Sequence, residues 1–299
     1  MQLIIHGGAW NDHGGSLRAV AGSRYQEGIQ HALDRGIALL EKGNALEAVI
    51  ASIEVLEDDP LFNCGTGSSL NLDGKAQMDA AVMTSEGSFG AVAALQNIQH
   101  PIAVAREILT RTDHLLLAGD AATKFARSCG FPSYDPTTDS QWSLWREIVD
   151  HGQANLLPRL KSFRDLRRCS DTVGAVARDR SGQLAVACST GGLAGKLPGR
   201  VGDTPILGAG LFVSRWGGAA ATGHGEQIMR RLLAFRAVQA MRREPVWKAV
   251  ATLLPENPRT LAGGLIGIDW RGQIGYGANT ERMPVGIYDR GRIQIPSLD

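Results

Sequence analysis

Apolar residues recur along this chain with two different periods. A run of three, Leu3 to Ile5, ends at Gly7-Gly8 and predicts a short buried strand. Ile29, Leu33, Ile37 and Leu40 then fall at three-to-four spacing, which predicts a helix over residues 24–42 stopped by Gly43. Asn44 followed three residues later by Glu47 has the spacing of a capping box and opens a second helix, striped by Leu46, Ile50, Ile53 and Leu56. Around Asp73-Gly74 the period shortens to two, which predicts a hairpin, and residues 89–95 read as a further strand. Helical spacing returns over 102–110 and 118–128.

From residue 131 to 170 neither period holds. Pro132, Pro136 and Pro158, a polar run from Thr137 to Ser140 and the pair Arg167-Arg168 predict a linker. Strand patterns resume at 172–178 and 183–189, joined by Asp179-Arg180-Ser181-Gly182, and recur at 265–269 and 273–277 around Trp270-Arg271-Gly272, with a helix over 226–242 between them. Strands paired by short turns and flanked by runs of helix predict an α+β protein, with antiparallel sheets covered by helices rather than a βαβ wind.

Charge narrows the partner. With 31 basic and 30 acidic side chains in 299 residues there is no broad field for a polyanion, so nucleic acid and anionic membrane are excluded in favour of a small molecule. The amino terminus lacks a basic n-region, and no apolar stretch approaches the roughly 18 residues that span a bilayer, so the expected location is cytoplasmic. Cys64, Cys129, Cys169 and Cys188 form neither a C-x-x-C pair nor a zinc spacing and read as reduced thiols. The 37 glycines fall in clusters, which fits either tight turns or a site built largely from backbone.

Several motifs are tempting and fail. His6-Gly7-Gly8-Ala9-Trp10 would suit the oxyanion loop of an α/β-hydrolase, but no serine lies in a G-x-S-x-G elbow. Gly65-Thr66-Gly67-Ser68-Ser69 lacks the lysine and spacing of a phosphate loop. Periodicity alone makes Thr172, in Asp171-Thr172-Val173-Gly174, an ordinary strand residue. Its context changes that: Ser189-Thr190-Gly191-Gly192, Pro198-Gly199-Arg200-Val201-Gly202-Asp203 and Ala221-Thr222-Gly223-His224-Gly225-Glu226 follow in order. Together with His6-Gly7-Gly8, Phe62-Asn63-Cys64-Gly65, His100-Pro101-Ile102, Gly263-Gly264-Leu265-Ile266 and Asn279-Thr280-Glu281, the chain resembles the plant-type asparaginase and isoaspartyl peptidase family of N-terminal-nucleophile hydrolases nearly end to end.

That resemblance implies an αββα sandwich made as a precursor that cuts itself between Asp171 and Thr172. The products would be an α chain of residues 1–171, with 131–171 as its linker, and a β chain of 172–299, folded as one unit and paired into a dimer. A threonine hydroxyl is a poor nucleophile alone, whereas a freed α-amino group, with a reference pKa of about 7.7–8.0, can act as its base. By resemblance Thr172 is the nucleophile, Thr190 and Asn63 its polar neighbours, Thr222 and Gly223 the oxyanion pair, and Arg200 and Asp203 the clamp on the amino-acid head. The carbonyls of Leu56, Glu57, Asp59, Phe62, Cys64 and Thr66 match a structural sodium loop, and no cofactor is implied for the chemistry. The implied activity is hydrolysis of L-asparagine and β-aspartyl peptides. Asp171 departs from the glycine usual in that branch, which leaves open glycosylasparagine as substrate, and an uncleaved, non-catalytic binding protein is the further alternative. Ala194-Gly195 and His224 replace more usual polar residues beside the pocket, and His224 is placed to tune pH dependence.

Overall fold

The computed structural model describes residues 1–11, 18–152, 172–257 and 260–298. The upstream elements are β1 (Gln2–His6), α1 (Arg18–Leu40), α2 (Ala45–Asp58), β2 (Met78–Thr84), β3 (Phe89–Leu95), α3 (Pro101–Arg111), β4 (Leu116–Ala118), α4 (Gly119–Ser128) and α5 (Asp139–Gly152). Downstream come β5 (Val173–Arg178), β6 (Leu184–Thr190), β7 (Leu211–Ser214), β8 (Gly217–Gly223), α6 (Gly225–Arg231), α7 (Leu233–Ala240), α8 (Val246–Leu253), β9 (Gly263–Asp269), β10 (Ile274–Ala278), β11 (Val285–Asp289) and β12 (Arg292–Gln294).

Two sheets stack face to face. The larger runs β12-β11-β1-β5-β6-β2-β3-β4 and the smaller β10-β9-β8-β7. Alternation along each strand sends one set of side chains between the sheets and the other towards helices. Leu3 and Ile5 of β1 join Val173, Ala175 and Ala177 of β5 beneath α1 to α4. Ile4, Val176, Val186 and Cys188 meet Ala220, Ile266 and Ile268 of the smaller sheet. Ala219, Ala221 and Leu265 face outward onto α6, α7 and α8. The result is the αββα sandwich of antiparallel sheets covered by helices expected from the sequence, and among the described residues no helix is long and apolar enough to cross a membrane.

Four sequence expectations are corrected. The first helix begins at Arg18, before residue 24. The hairpin at Asp73-Gly74 reduces to a single bridge between Leu70 and Ala76, because Asn71 Oδ1 accepts from the Asp73 and Lys75 amides and folds that tip as a side-chain-capped turn. Inside the predicted linker lies α5: Ile148 packs on Gly195 and Trp142 on Gly74, while Trp145 donates to the Asn71 carbonyl at 2.9 Å. The helix expected over 226–242 breaks at Leu232, which is left-handed (φ 46°). There the amides of Ala234 and Phe235 turn away to the carbonyls of Ala209 and Gly208, so a loop replaces the missing turn. One pair in the larger sheet, β3 with β4, is parallel.

Candidate active site

Strand register gathers the predicted residues. His6 pairs with Gly174, Val173 with Ser189, and Asp79 with Thr190. One step back from Val173 along the same antiparallel ladder, Thr172 stands opposite Thr190. Thr172, Thr190 and His6 share the strand faces that carry Val176, Cys188 and Ile4 between the sheets, and Thr222 shares the face of Ala220 on β8. All four are buried. The Gly210 carbonyl ties the sheets together beside them, accepting from Cys188 Sγ at 3.7 Å and from the Ala221 amide at 2.8 Å.

The turn after β6 is held from two sides. Asn63 Nδ2 donates to the Gly192 carbonyl at 2.7 Å, its Oδ1 accepts from the Ser69 amide at 2.8 Å, and its own carbonyl accepts from the Gly191 amide at 2.7 Å. The Gly192 amide in turn donates to Thr190 Oγ1 at 3.0 Å. That hydroxyl accepts one bond and keeps its proton to donate. Thr222 Oγ1 has no hydrogen-bond partner among the described residues, although it is fully buried.

Lys196, which sequence reasoning passed over, anchors the other side. Only 2% exposed, its Nζ donates to the carbonyls of Gln77 and Gly191. Gly192, at φ +75°, leaves room for it, since a Cβ there would lie 2.6 Å from Nζ. Burial lowers the lysine to about 8, and the Asp79 carboxylate pulls the other way. Burial raises Asp79, while Lys196, the amides of Ala94 and Gly202, and Arg200 favour its charge. Replacing Lys196 with methionine strands two carbonyls and a buried carboxylate. The expected loss is about 3 kcal/mol, read as a melting temperature lower by about 5–10 °C; an unchanged melting temperature would show that the network is not structural.

Arg200 and Asp203 converge at the start of α6. Arg200 Nε and Nη2 donate to Glu226 Oε1 and Oε2 at 2.9 and 3.0 Å. Asp203 is buried with no partner for Oδ2 among the described residues. Desolvation raises its carboxyl to about 7, although Arg200 opposes the rise. Gly225 makes the convergence possible: a Cβ there would lie 2.8 Å from Arg200 Nη2 and 2.9 Å from Asp203 Oδ1. His6 is neutral, lowered to about 3 by complete burial, with a backbone bond to Thr172 pulling weakly upward.

The loop from Leu56 to Thr66 closes on itself. The carbonyls of Glu57, Asp59 and Leu56 accept from the Thr66 amide, the Phe62 amide and Cys64 Sγ. Each retains a second lone pair. Like those of Phe62, Cys64 and Thr66, they are hard carbonyl oxygens, the donor type that sodium takes. Asp171 and Cys169 lie outside the described residues. Sequence reasoning also left Asp79 and Glu226 unassigned; the signal for Asp79 was a single carboxylate in the apolar strand Met78–Thr84.

Over residues 1–295 the chain matches the sequence model of the asparaginase family. A plant-type L-asparaginase of Pyrococcus abyssi is 39% identical over 300 residues, covering 97% of this chain and 96% of the relative. Isoaspartyl peptidase/L-asparaginases of Mus musculus and Danio rerio are each 35% identical, covering 94% and 98% of this chain and 88% and 94% of theirs.

Proposed function

The chain belongs to the plant-type asparaginase and isoaspartyl peptidase family of hydrolases, and from that premise we propose that it is a self-cleaving amidohydrolase that converts L-asparagine and β-aspartyl peptides to L-aspartate, with Thr172 as nucleophile. The observation that carries this reading is that Thr172, Thr190 and Thr222 all lie on strand faces turned between the two sheets, while Arg200 and Asp203, whose Oδ2 has no partner among the described residues, converge at the start of α6. Cleavage between Asp171 and Thr172 frees an α-amino group, giving an α chain of 1–171 and a β chain of 172–299.

In this scheme the Thr172 hydroxyl passes its proton to its own amine and attacks the side-chain amide carbon of the substrate. Thr190, whose oxygen is occupied by the Gly192 amide, donates its proton towards the attacking oxygen. Thr222 Oγ1 and the Gly223 amide receive the negative charge on the former carbonyl oxygen. The protonated amine then gives its proton to the leaving ammonia or peptide amine, an ester to Thr172 remains, and water releases aspartate. Arg200 grips the α-carboxylate and Asp203 the α-ammonium. Asn63 holds the turn that fixes Thr190. A sodium held by the loop carbonyls would act structurally, and pairing into a dimer is part of the proposal by family likeness alone.

Incubating the chain, resolving it on a denaturing gel and assaying asparagine, an isoaspartyl dipeptide and glycosylasparagine tests the whole reading. Two fragments with turnover of the first two substrates support it; one full-length band without turnover overturns it.

The clamp predicts a specific pH dependence. Asp203 titrates near 7 in the unliganded protein, and only its charged form pairs with an ammonium, so lowering the pH through that value weakens substrate binding. Once substrate is bound the ammonium holds the carboxylate charged. The Thr172 amine must be neutral in both states. From pH 8 to pH 6, kcat/KM for asparagine should therefore fall roughly tenfold more than kcat, and KM should rise by that factor. A KM constant across this range would remove Asp203 from the clamp.

A further inference from the structure

Arg200 is held by one edge. Its Nε and Nη2 donors are taken side-on by Glu226, which leaves both protons of Nη1 and the second of Nη2 for another planar acceptor. That remaining edge is bordered by backbone without side chains: a Cβ at Gly202 would lie 2.9 Å from Nη1, and one at Gly225 would lie 2.8 Å from Nη2. Two other carboxylates compete for the same guanidinium. Asp79 and Asp203 both feel Arg200 electrostatically, and Asp203 Oδ1 borders the same space above Gly225.

We propose that Glu226 is the positioning residue of the substrate clamp: it fixes Arg200 by the Nε/Nη2 edge, so that the Nη1/Nη2 edge faces the α-carboxylate of the substrate and the guanidinium does not close onto Asp203. The inference rests on the amino-acid clamp of the proposed function and adds a residue that touches neither substrate nor reacting atoms. An arginine closed onto Asp203 would cancel both arms of the clamp at once, because the cation and the anion meant for a zwitterionic head would satisfy each other. Glu226 prevents this by supplying a better-shaped partner. It also leaves the unliganded clamp without an uncompensated arginine in a site where Arg200 is only 16% exposed. His224 Nδ1 lies 3.4 Å from the same Glu226 Oε2 that accepts from Arg200 Nη2.

The consequence is a selective one. Losing Glu226 should weaken recognition of the α-carboxylate and leave recognition of the rest of the substrate nearly intact. Calorimetric titration of L-aspartate and of its α-amide into the wild-type protein, Glu226→Gln and Glu226→Asp reads this without turnover. We expect Glu226→Gln to bind L-aspartate at least tenfold more weakly and the α-amide within threefold of wild type, with Glu226→Asp recovering part of the difference. Equal weakening for both ligands, or no weakening, would overturn the proposal. Asparagine turnover by the wild type separates the two claims. If it occurs while Glu226→Gln binds aspartate normally, only the role of Glu226 falls; if the wild type binds no aspartate, the clamp and the inference fall together.

Discussion

Thr172→Ala is expected to leave one uncut chain of 31.9 kDa and to abolish hydrolysis of asparagine by about 10⁴-fold or more, the scale seen when a nucleophile acting as part of a unit is removed. In the proposed scheme one hydroxyl serves both reactions, so both should disappear together. Alanine fits the site, because Thr172 is buried at the head of β5 with its neighbours on the helix-facing side set by Val173 and Ala175. The melting temperature should therefore stay close to that of the uncut wild-type chain. A variant that still splits, or still hydrolyses asparagine at a comparable rate, would refute the nucleophile assignment. Thr172→Ser is the companion measurement: serine retains the hydroxyl and the α-amine, and should retain both cleavage and turnover at reduced rates.

The second large effect separates binding from self-cleavage. Arg200→Ala removes the cation from the clamp and strands Glu226, and truncating one partner of a hydrogen-bonded charge pair costs about 2–5 kcal/mol. At about 1.4 kcal/mol per factor of ten, kcat/KM for asparagine should fall by roughly 30- to 3,000-fold. Cleavage before Thr172 uses a carbonyl of the chain itself, which has no free amino-acid head, so two fragments should still appear on the gel at close to the normal rate. Parallel loss of both activities would instead mark Arg200 as a folding residue.

Much of this was readable from residue order. Helix α2 announced itself through Asn44, whose side chain accepts from the Glu47 amide as the spacing required, and the β5–β6 hairpin through two apolar runs around Asp179, which caps the Ser181 and Gln183 amides. Thr172, Thr190 and Thr222 stand out only through the family resemblance of their motifs, and strand alternation then sets the face on which each lies. What escaped has a common cause. Lys196 and Asp79 act through partners far away in sequence, and a lysine between two glycine-rich turns looks like a solvated side chain until the fold buries it. Glu226 sat in plain view within a motif, but its pairing with Arg200 depends on how α6 docks. Helix α5 was lost among polar residues, since Trp142, Trp145 and Ile148 make a stripe too short to outweigh the prolines around it. The break at Leu232 has no local signal; distant carbonyls at 208 and 209 create it.

For a chain cut after residue 171 as proposed, the strand order β1-β5-β6-β2 has a consequence. Two ribbons from beyond residue 171 are woven between two from before it, so a scission there frees no lobe and the pieces stay interlaced. Unfolding is another matter. Once denatured, the halves diffuse apart, and reassembly becomes a second-order encounter whose yield depends on concentration. An uncut chain would refold as a single tethered molecule, whereas a nicked one would owe its persistence to the height of its unfolding barrier, and thermal scans of the two forms should part company as the protein is diluted.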